Sequence, residues 1–292
     1  MNEAQPSILL DPSAVGRSLT FRSVPGVDPV PVLSRLRDHF ALDCGVLGIG
    51  EPLIRGLGRS IPGLRTFPAI SGPGCAVPST QGALVVLLRG TDRGIVFDFS
   101  QEIRDLIAEA FVPAEVVDTF TYQGGRDLTR FEDGTENPRD ERAVAAAIVS
   151  KGEGMKGSSF VAMQRWVHDL RRFWSFSAAH RDAVIGRRAD TNEEIADAPA
   201  FAHVKRTAQE SYTPPAFMLR RSMPWATADE EGLLFVSYVE SLDRFEVMMR
   251  RMVGLDDGVV DGLFSFSRPV SGGYYWCPPV SGDRVDLRLL GL

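Results

Sequence analysis

One pattern of apolar periodicity occurs twice in this chain, first from Gly94 and again from Gly232. In "GIVFDFSQEIRDLIAEAF" a short apolar run predicts a strand. A helix follows, with Ile103, Leu106, Ile107 and Phe111 on one face and Ser100 as its cap. In "GLLFVSYVESLDRFEVMMRRMVG" the same order returns: Phe245, Met248, Met249 and Met252 share a helix face, with Asp243 and Glu246 near its start and Gly254 at its end. Another strand precedes each block, "GALVVLLRG" from Gly82 and "PAFMLRRSMPW" from Pro215. Before these come a strand and a helix, "SLTFRSV" with "VLSRLRDHF" and then "SSFVAMQRW" with "VHDLRRFWSF". Strand, helix, strand, strand, helix, strand is the split βαβ order. The expected architecture is α+β: two ferredoxin-like (split βαβ) domains, antiparallel sheets with helices packed on them. Their boundary is expected between residues 135 and 157, giving units 1–140 and 141–292, with "SKGEGMKGSS" as loop or linker.

Composition excludes several functions. The chain is 44% apolar and 24% charged, as soluble globular proteins are. Its net charge of −6 opposes a sequence-independent grip on nucleic acid and binding to anionic membranes. No apolar run approaches the ~20 residues of a membrane span. The opening "MNEAQPSILLDPSAVGRS" has an acid and prolines where a signal peptide carries a basic segment, so a cytoplasmic location is expected. Cys44, Cys75 and Cys277 are odd in number and form no Cys-x-x-Cys, which predicts neither a disulfide framework nor a zinc site. All three are expected reduced and mostly buried.

Few residues remain for chemistry. There is no Gly-x-Ser-x-Gly elbow, His-Glu-x-x-His, phosphate loop or Gly-x-Gly-x-x-Gly after a strand, and "DLTRFEDGTENP" misses the calcium-loop spacing. A metal held by side chains alone is not expected. Of the four histidines, His39 and His168 sit in or beside apolar helical patterns and read as structural, as does His180. His203, in "APAFAHVKRTAQE", has no clear periodicity around it and follows Pro199, which suits a loop residue at a cavity wall. "RFEDGTENPRD" concentrates acids with Asp-Gly and Asn-Pro turn steps, so Asp133 stands on a tight turn, either solvated or aimed into a cavity. Arg220 and Arg221 interrupt an apolar strand, at an edge in water or facing an anion or polar pocket.

Three of these segments together resemble a known family. "RDLTRFEDGTENP" is similar to the Gly-x-x-Asp-Gly and Thr-Glu-Asn-Pro motif of the dye-decolorizing peroxidases, "FAHVKRT" to their haem-ligand segment and "MLRRSMPW" to their distal arginine strand. "VAMQRWVHDLRRFWSFSAAHRDAVIGRR" resembles the bacterial B-type branch, so the likeness covers most of the chain from Arg126 onward. It implies two ferredoxin-like domains with haem b (iron protoporphyrin IX) held mainly by the C-terminal one. It also implies a haem peroxidase that reduces hydrogen peroxide through a ferryl intermediate and oxidises dyes, phenolics or similar one-electron donors.

By this resemblance His203 is the axial ligand of the haem iron, with Asp261 as the acceptor for its other ring nitrogen and Ser265 where a second acid is expected. Asp133 is the distal proton carrier, Arg220 the stabiliser of negative charge on the departing oxygen, and Ser222 a group that orients peroxide or a pocket water. A water held by Ser222 can replace Asp133, which makes Arg220 the costlier residue to lose. Gly134 lets the backbone pass close to the porphyrin, Thr135, Glu136 and Asn137 line or brace the pocket, Phe235 is an apolar wall, and Arg187 is a candidate partner for a haem propionate. Arg221 faces away. The family's first motif glycine is Arg130 here, which bears on the loop's backbone rather than on Asp133 and Gly134.

Trp166, Trp174, Trp225, Trp276, Tyr274 and Tyr275 are candidate electron relays for bulky donors, but read first as core or interface aromatics. A homo-oligomer is expected. Packaging in an encapsulin shell is not, because the chain stops at "VDLRLLGL", soon after its last strand. The competing readings are a haem-handling protein with incidental peroxidase activity, and an oligomerising α+β domain without cofactor.

Overall fold

The structure is a computed structural model that describes residues 3–292. The first half contains β1 (Val15–Ser23), α1 (Val30–His39), β2 (Gly45–Gly50), β3 (Leu84–Gly90), α2 (Arg93–Ile107) and β4 (Phe111–Phe120). After α3 (Asp140–Ala147) the second half has β5 (Ser159–His168), α4 (Leu170–Ser175), α5 (Ala178–Ile185), α6 (His203–Arg206), β6 (Leu219–Arg220) and β7 (Met223–Ala226). It ends with β8 (Glu231–Val239), α7 (Leu242–Met252), β9 (Ser267–Pro269) and β10 (Gly273–Cys277).

These strands form one ten-stranded sheet in the order β4-β1-β3-β2-β10-β5-β8-β6, with β7 on β8 and β9 on β5, all ladders antiparallel. Each half keeps the ferredoxin-like order, in which the outer strands of the motif flank the first and third. The expected fold class stands, with one addition: the two sheets are continuous. They join where β10 pairs with β2, Tyr275 opposite Gly50 and Trp276 opposite Ile49.

That junction explains a strand absent from the expectation. β2 reads "GVLGIG", too rich in glycine to signal a strand. A Cβ at Gly48 would lie 2.8 Å from Tyr275 Cβ and from Val85 Cγ1, so only glycine lets the second half come this close. The strand expected from Gly94 is instead the first turn of α2. Asp92 accepts hydrogen bonds from the Gly94 and Ile95 amides and caps the helix there, leaving Ser100 buried inside it and Phe111 at the start of β4. Ile103 and Ile107 do share the buried face.

The sheet curls until its ends meet. Ser18 lies beside Met163 (3.4 Å), Thr119 beside Met223 (3.6 Å), and Glu115 pairs with Arg165 (3.0 Å). Val46, Val85, Val117, Val161, Met163, Val236 and Tyr275 fill the inside. The alternate residues face outward, under helices: α1 and α2 cover the first half, while Phe245, Met248, Met249 and Met252 of α7 pack on Trp166, Tyr274 and Trp276. Burying a stripe of four large side chains on one helix contributes on the order of 1.5–3 kcal/mol each. Among the described residues no helix is long and apolar enough to cross a membrane, and all three cysteines are free thiols, Cys44 and Cys277 buried.

Candidate active site

Between the outer face of the second half and its helices lies a cavity of about 300 Å³. Strand alternation supplies one wall: Gln164, Trp166 and His168 from β5, Leu233 and Phe235 from β8. Met248, Met249, Met252 and Phe245 of α7 add apolar surface. Trp225, Trp276, Tyr274 and Tyr275 are buried core residues, and Trp174 is exposed.

His203 opens α6, a helix too short to stand alone. Arg206, buried, holds α6 down by donating to both carboxylate oxygens of Asp257 (2.7 and 2.8 Å) and to the Arg251 carbonyl. A Cβ at Gly186, whose φ is +91°, would sit 2.3 Å from Val204 Cγ2, so glycine lets α5 end against α6. His203 Nδ1 donates to Asp261 Oδ2 at 2.8 Å, and Asp261, 1% exposed, also accepts from the Leu263 amide. The ring lines the cavity with Nδ1 committed, which leaves Nε2 as its free nitrogen. Ser265 is turned to the Gly262 carbonyl.

Asp133, Gly134, Thr135 and Glu136 line the same cavity from the loop after β4, and Arg220 does so from β6. Asn137 braces rather than lines it: its side-chain amide pairs with the Arg220 backbone, accepting from the amide at 2.9 Å and donating to the carbonyl at 3.0 Å. Gly134 has φ +76°, and a Cβ there would come within 2.9 Å of Asn137 Nδ2. The surface Asp133 exposes borders two cavities, the central one and a polar cleft of about 680 Å³ on the far side of the loop. Enclosure in protein raises its carboxyl above the ordinary range; Arg220 opposes this and the neighbouring Asp127 carboxylate adds to it. Arg220 Nε is buried without a hydrogen-bond partner, a donor aimed at nothing the protein supplies.

Two expected site residues stand differently, and a third stands as expected. Ser222 lies between β6 and β7 and does not line the central cavity. Its Oγ accepts from the Val236 amide at 3.3 Å, and it borders the polar cleft, as Asp133 and Arg220 also do. Arg187 lines the cavity edge, but its guanidinium already pairs with Glu136 (2.7 Å) and Glu194 (3.4 Å). Arg221 does point away, toward the Leu9 carbonyl and Asp11.

The model of the Dyp-type peroxidase C-terminal domain matches residues 124–282, which include the Asp133 loop, His203, Arg220 and Asp261. The chain belongs to the dye-decolorizing peroxidase family. A dye-decolorizing peroxidase of Mycolicibacterium paratuberculosis is 30% identical over 76% of this chain, and the match spans 64% of that relative's length. One of Mycobacterium tuberculosis is 29% identical over 76% of this chain and 68% of its own. Among solved structures, a putative dyp-type peroxidase from Shewanella oneidensis superposes with a TM-score of 0.87 at 26% identity, covering 99% of this chain and 98% of that one. A variant of DypB from Rhodococcus jostii, solved in complex with heme, gives 0.86 at 26% identity, over 94% of this chain and 96% of that one.

Within this dye-decolorizing peroxidase family member, Arg130 adopts φ +69°, the left-handed conformation that glycine takes freely, and its guanidinium lies 5.0 Å over the Trp174 ring. Holding that conformation at a residue with a Cβ costs ~1–3 kcal/mol locally. His39 and His180 are exposed and line no part of the cavity. His168 was expected only as a structural residue, yet it lines the cavity and bonds Asp127. Asp127 stands inside the matched "RDLTRF" segment, and that acid was the available signal.

Proposed function

We propose that this chain binds haem b between His203 and the Asp133–Arg220 pair and uses it to reduce hydrogen peroxide, oxidising phenolics, dyes or similar one-electron donors. The observation that carries the reading is one apolar cavity with an acid-backed imidazole on one wall and a carboxyl–guanidinium pair on another. The residues fit the cofactor. His203 Nε2 is free to ligate, the lining is largely apolar, Gly134 keeps the loop thin and Arg220 Nε lacks a partner. Arg187 would take a propionate in place of its ion pair with the exposed Glu136.

When bound, haem supplies the iron at which peroxide is cleaved and the oxidising equivalents that donors consume. His203 would hold it, and the Asp261 carboxylate oxygen that accepts from Nδ1–H would make the imidazole a stronger electron donor. Asp133 takes the proton from one peroxide oxygen and returns it to the other, which leaves as water. Arg220 stabilises the negative charge on that departing oxygen, in surroundings where Phe235 and the methionines of α7 exclude water. A haem carrier has no need of a proton-transfer pair, so the Asp133–Arg220 arrangement favours the enzyme. The free thiols support a reducing, cytoplasmic setting as part of this proposal. The two sheet halves support the division at residue 140.

Stopped-flow absorption of haem-loaded protein mixed with peroxide tests the reading. A fast change in the Soret band, followed by its return on adding a phenolic donor, is expected. Haem that binds and exchanges without responding to peroxide would instead mark a carrier.

A further inference from the structure

The Asp133 loop is held from its outer side by Asn192, which donates to Glu132 (2.7 Å) and Thr135 (3.0 Å), and is anchored at each end. At its end Asn137 grips the Arg220 backbone, a contact without titratable groups. At its start the anchor is a buried imidazole. His168, the last residue of β5, has a side chain 7% exposed, with Nε2 3.1 Å from Asp127 Oδ1 and Nδ1 2.7 Å from Ser267 Oγ.

Asp127 organises the turn that delivers Asp133. Its other carboxylate oxygen accepts from the Thr129 amide and hydroxyl, its carbonyl accepts from the Arg130 amide, and its amide donates to the Phe131 carbonyl. Arg126 ties the turn's two sides by binding Glu132, and the Asp133 amide returns to the Gly125 carbonyl at 3.2 Å. A displacement of Asp127 is therefore carried to Asp133 through the hydrogen-bonded turn between them. Burial works to raise the Asp127 carboxyl, but hydrogen bonds from His168 and Thr129 outweigh it and hold it below the ordinary range. Asp127 is thus an anion, and His168 Nε2 is the donor to it.

The other ring nitrogen admits two protonation states. With neutral His168, the Ser267 hydroxyl donates to Nδ1. With the charged ring, Nδ1–H donates to Ser267, whose hydroxyl turns to the Val167 carbonyl at 3.3 Å. Both states satisfy every bond, so protonation changes the strength of the anchor and not its connectivity. His168 borders two spaces. Inside, the cavity presents Glu132, Asp133, Glu136, Arg187, Glu194, His203, Glu210 and Arg220; outside, a cleft presents Asp169, Arg171, Arg172, Asp229, Glu230, Glu231 and Arg268.

We propose that His168 is a positioning residue for Asp133, acting through Asp127, and that it holds the loop more firmly when doubly protonated. The catalytic consequence rests on Asp133 being the proton carrier proposed above; the anchoring does not.

Hydrogen exchange of amides 125–137 in His168→Ala, His168→Gln and Asp127→Asn tests the anchor in the haem-free protein, alongside NMR titration of the His168 ring in the wild type. In His168→Ala, exchange in this loop is expected to accelerate about tenfold, with α1 and α2 unchanged. In the wild type, loop protection should fall as His168 loses its second proton. His168→Gln, which keeps a donor, should restore part of the protection without that pH dependence, and Asp127→Asn should abolish the dependence. In haem-loaded protein, His168→Ala should slow the peroxide step up to about a hundredfold at retained haem content. Loop exchange equal to wild type in His168→Ala, or in His168→Gln and Asp127→Asn where the alanine variant fails to fold, would overturn the proposal. So would a loosened loop with a normal peroxide step, provided Asp133→Asn is slow. If Asp133→Asn is also normal, it is the assignment of Asp133 that fails.

Discussion

Replacing Arg220 with leucine removes a half-buried positive charge while sparing the scaffold around it. Asn137 holds the Arg220 backbone rather than its side chain, so the loop should keep its place in Arg220→Leu. His203 is untouched, so haem should still bind. Arg220 Nε has no protein partner to dilute its field. A unit charge ~4 Å from the departing oxygen, at an effective dielectric constant of ~20, is worth about 4 kcal/mol. Loss of one preorganised donor at an oxyanion costs about 3–4 kcal/mol, the same quantity reached another way. The first Soret change on mixing with peroxide should therefore slow about a hundred- to a thousandfold. A second effect has a definite sign. Arg220 lowers the Asp133 carboxyl against the rise that enclosure causes, so its removal lets that carboxyl rise further. The acid limb of the pH profile should move to higher pH in Arg220→Leu and disappear in Asp133→Asn. The aspartate variant should also be slow, about a hundred- to ten-thousandfold, because Ser222 does not line the central cavity in which a substitute water would have to sit. Stopped-flow traces across pH decide this. An Arg220→Leu enzyme of normal speed with an unmoved acid limb would refute the electrostatic role.

His203→Ala should fold with little haem, whereas His39→Ala and His180→Ala keep theirs, as read from Soret absorbance per protein. Phe245→Ala should destabilise the fold by about 3–5 kcal/mol in denaturant titrations, since the ring is 2% exposed and packs on Phe67, Phe235 and Tyr274. Asp257 is lowered to about 2, chiefly by its hydrogen bonds from Arg206, so the clamp on α6 contributes stability above the ordinary carboxylate range and loses it as pH falls toward that value. Asp257→Asn should be less stable than wild type at neutral pH, with the gap closing below about pH 4. A gap that stays constant with pH would remove the ion pair from the account.

Local chemistry in the chain carried the class of fold and most of the site. The apolar stripe of α7 and the alternation of β5 and β8 show in a few residues each, and such periods are written in the order of side chains alone. Asp133, His203, Arg220 and Asp261 were likewise legible, the first three within short motifs. What the order of residues could not show depends on which distant segments meet. β2 is a strand because β3 and β10 pair with it from either side, and nothing within "GVLGIG" announces those neighbours. Ser222 reads as a neighbour of Arg220 by strand alternation and does share the polar cleft with it, but only the folded sheet shows that it stays out of the central cavity. His168 and Asp127 are separated by 41 positions and become one device only when β5 passes under the loop. Periodicity and turn chemistry act over a few residues, whereas satisfying a buried donor or acceptor is settled by whatever the closed sheet brings within 3 Å or so of it.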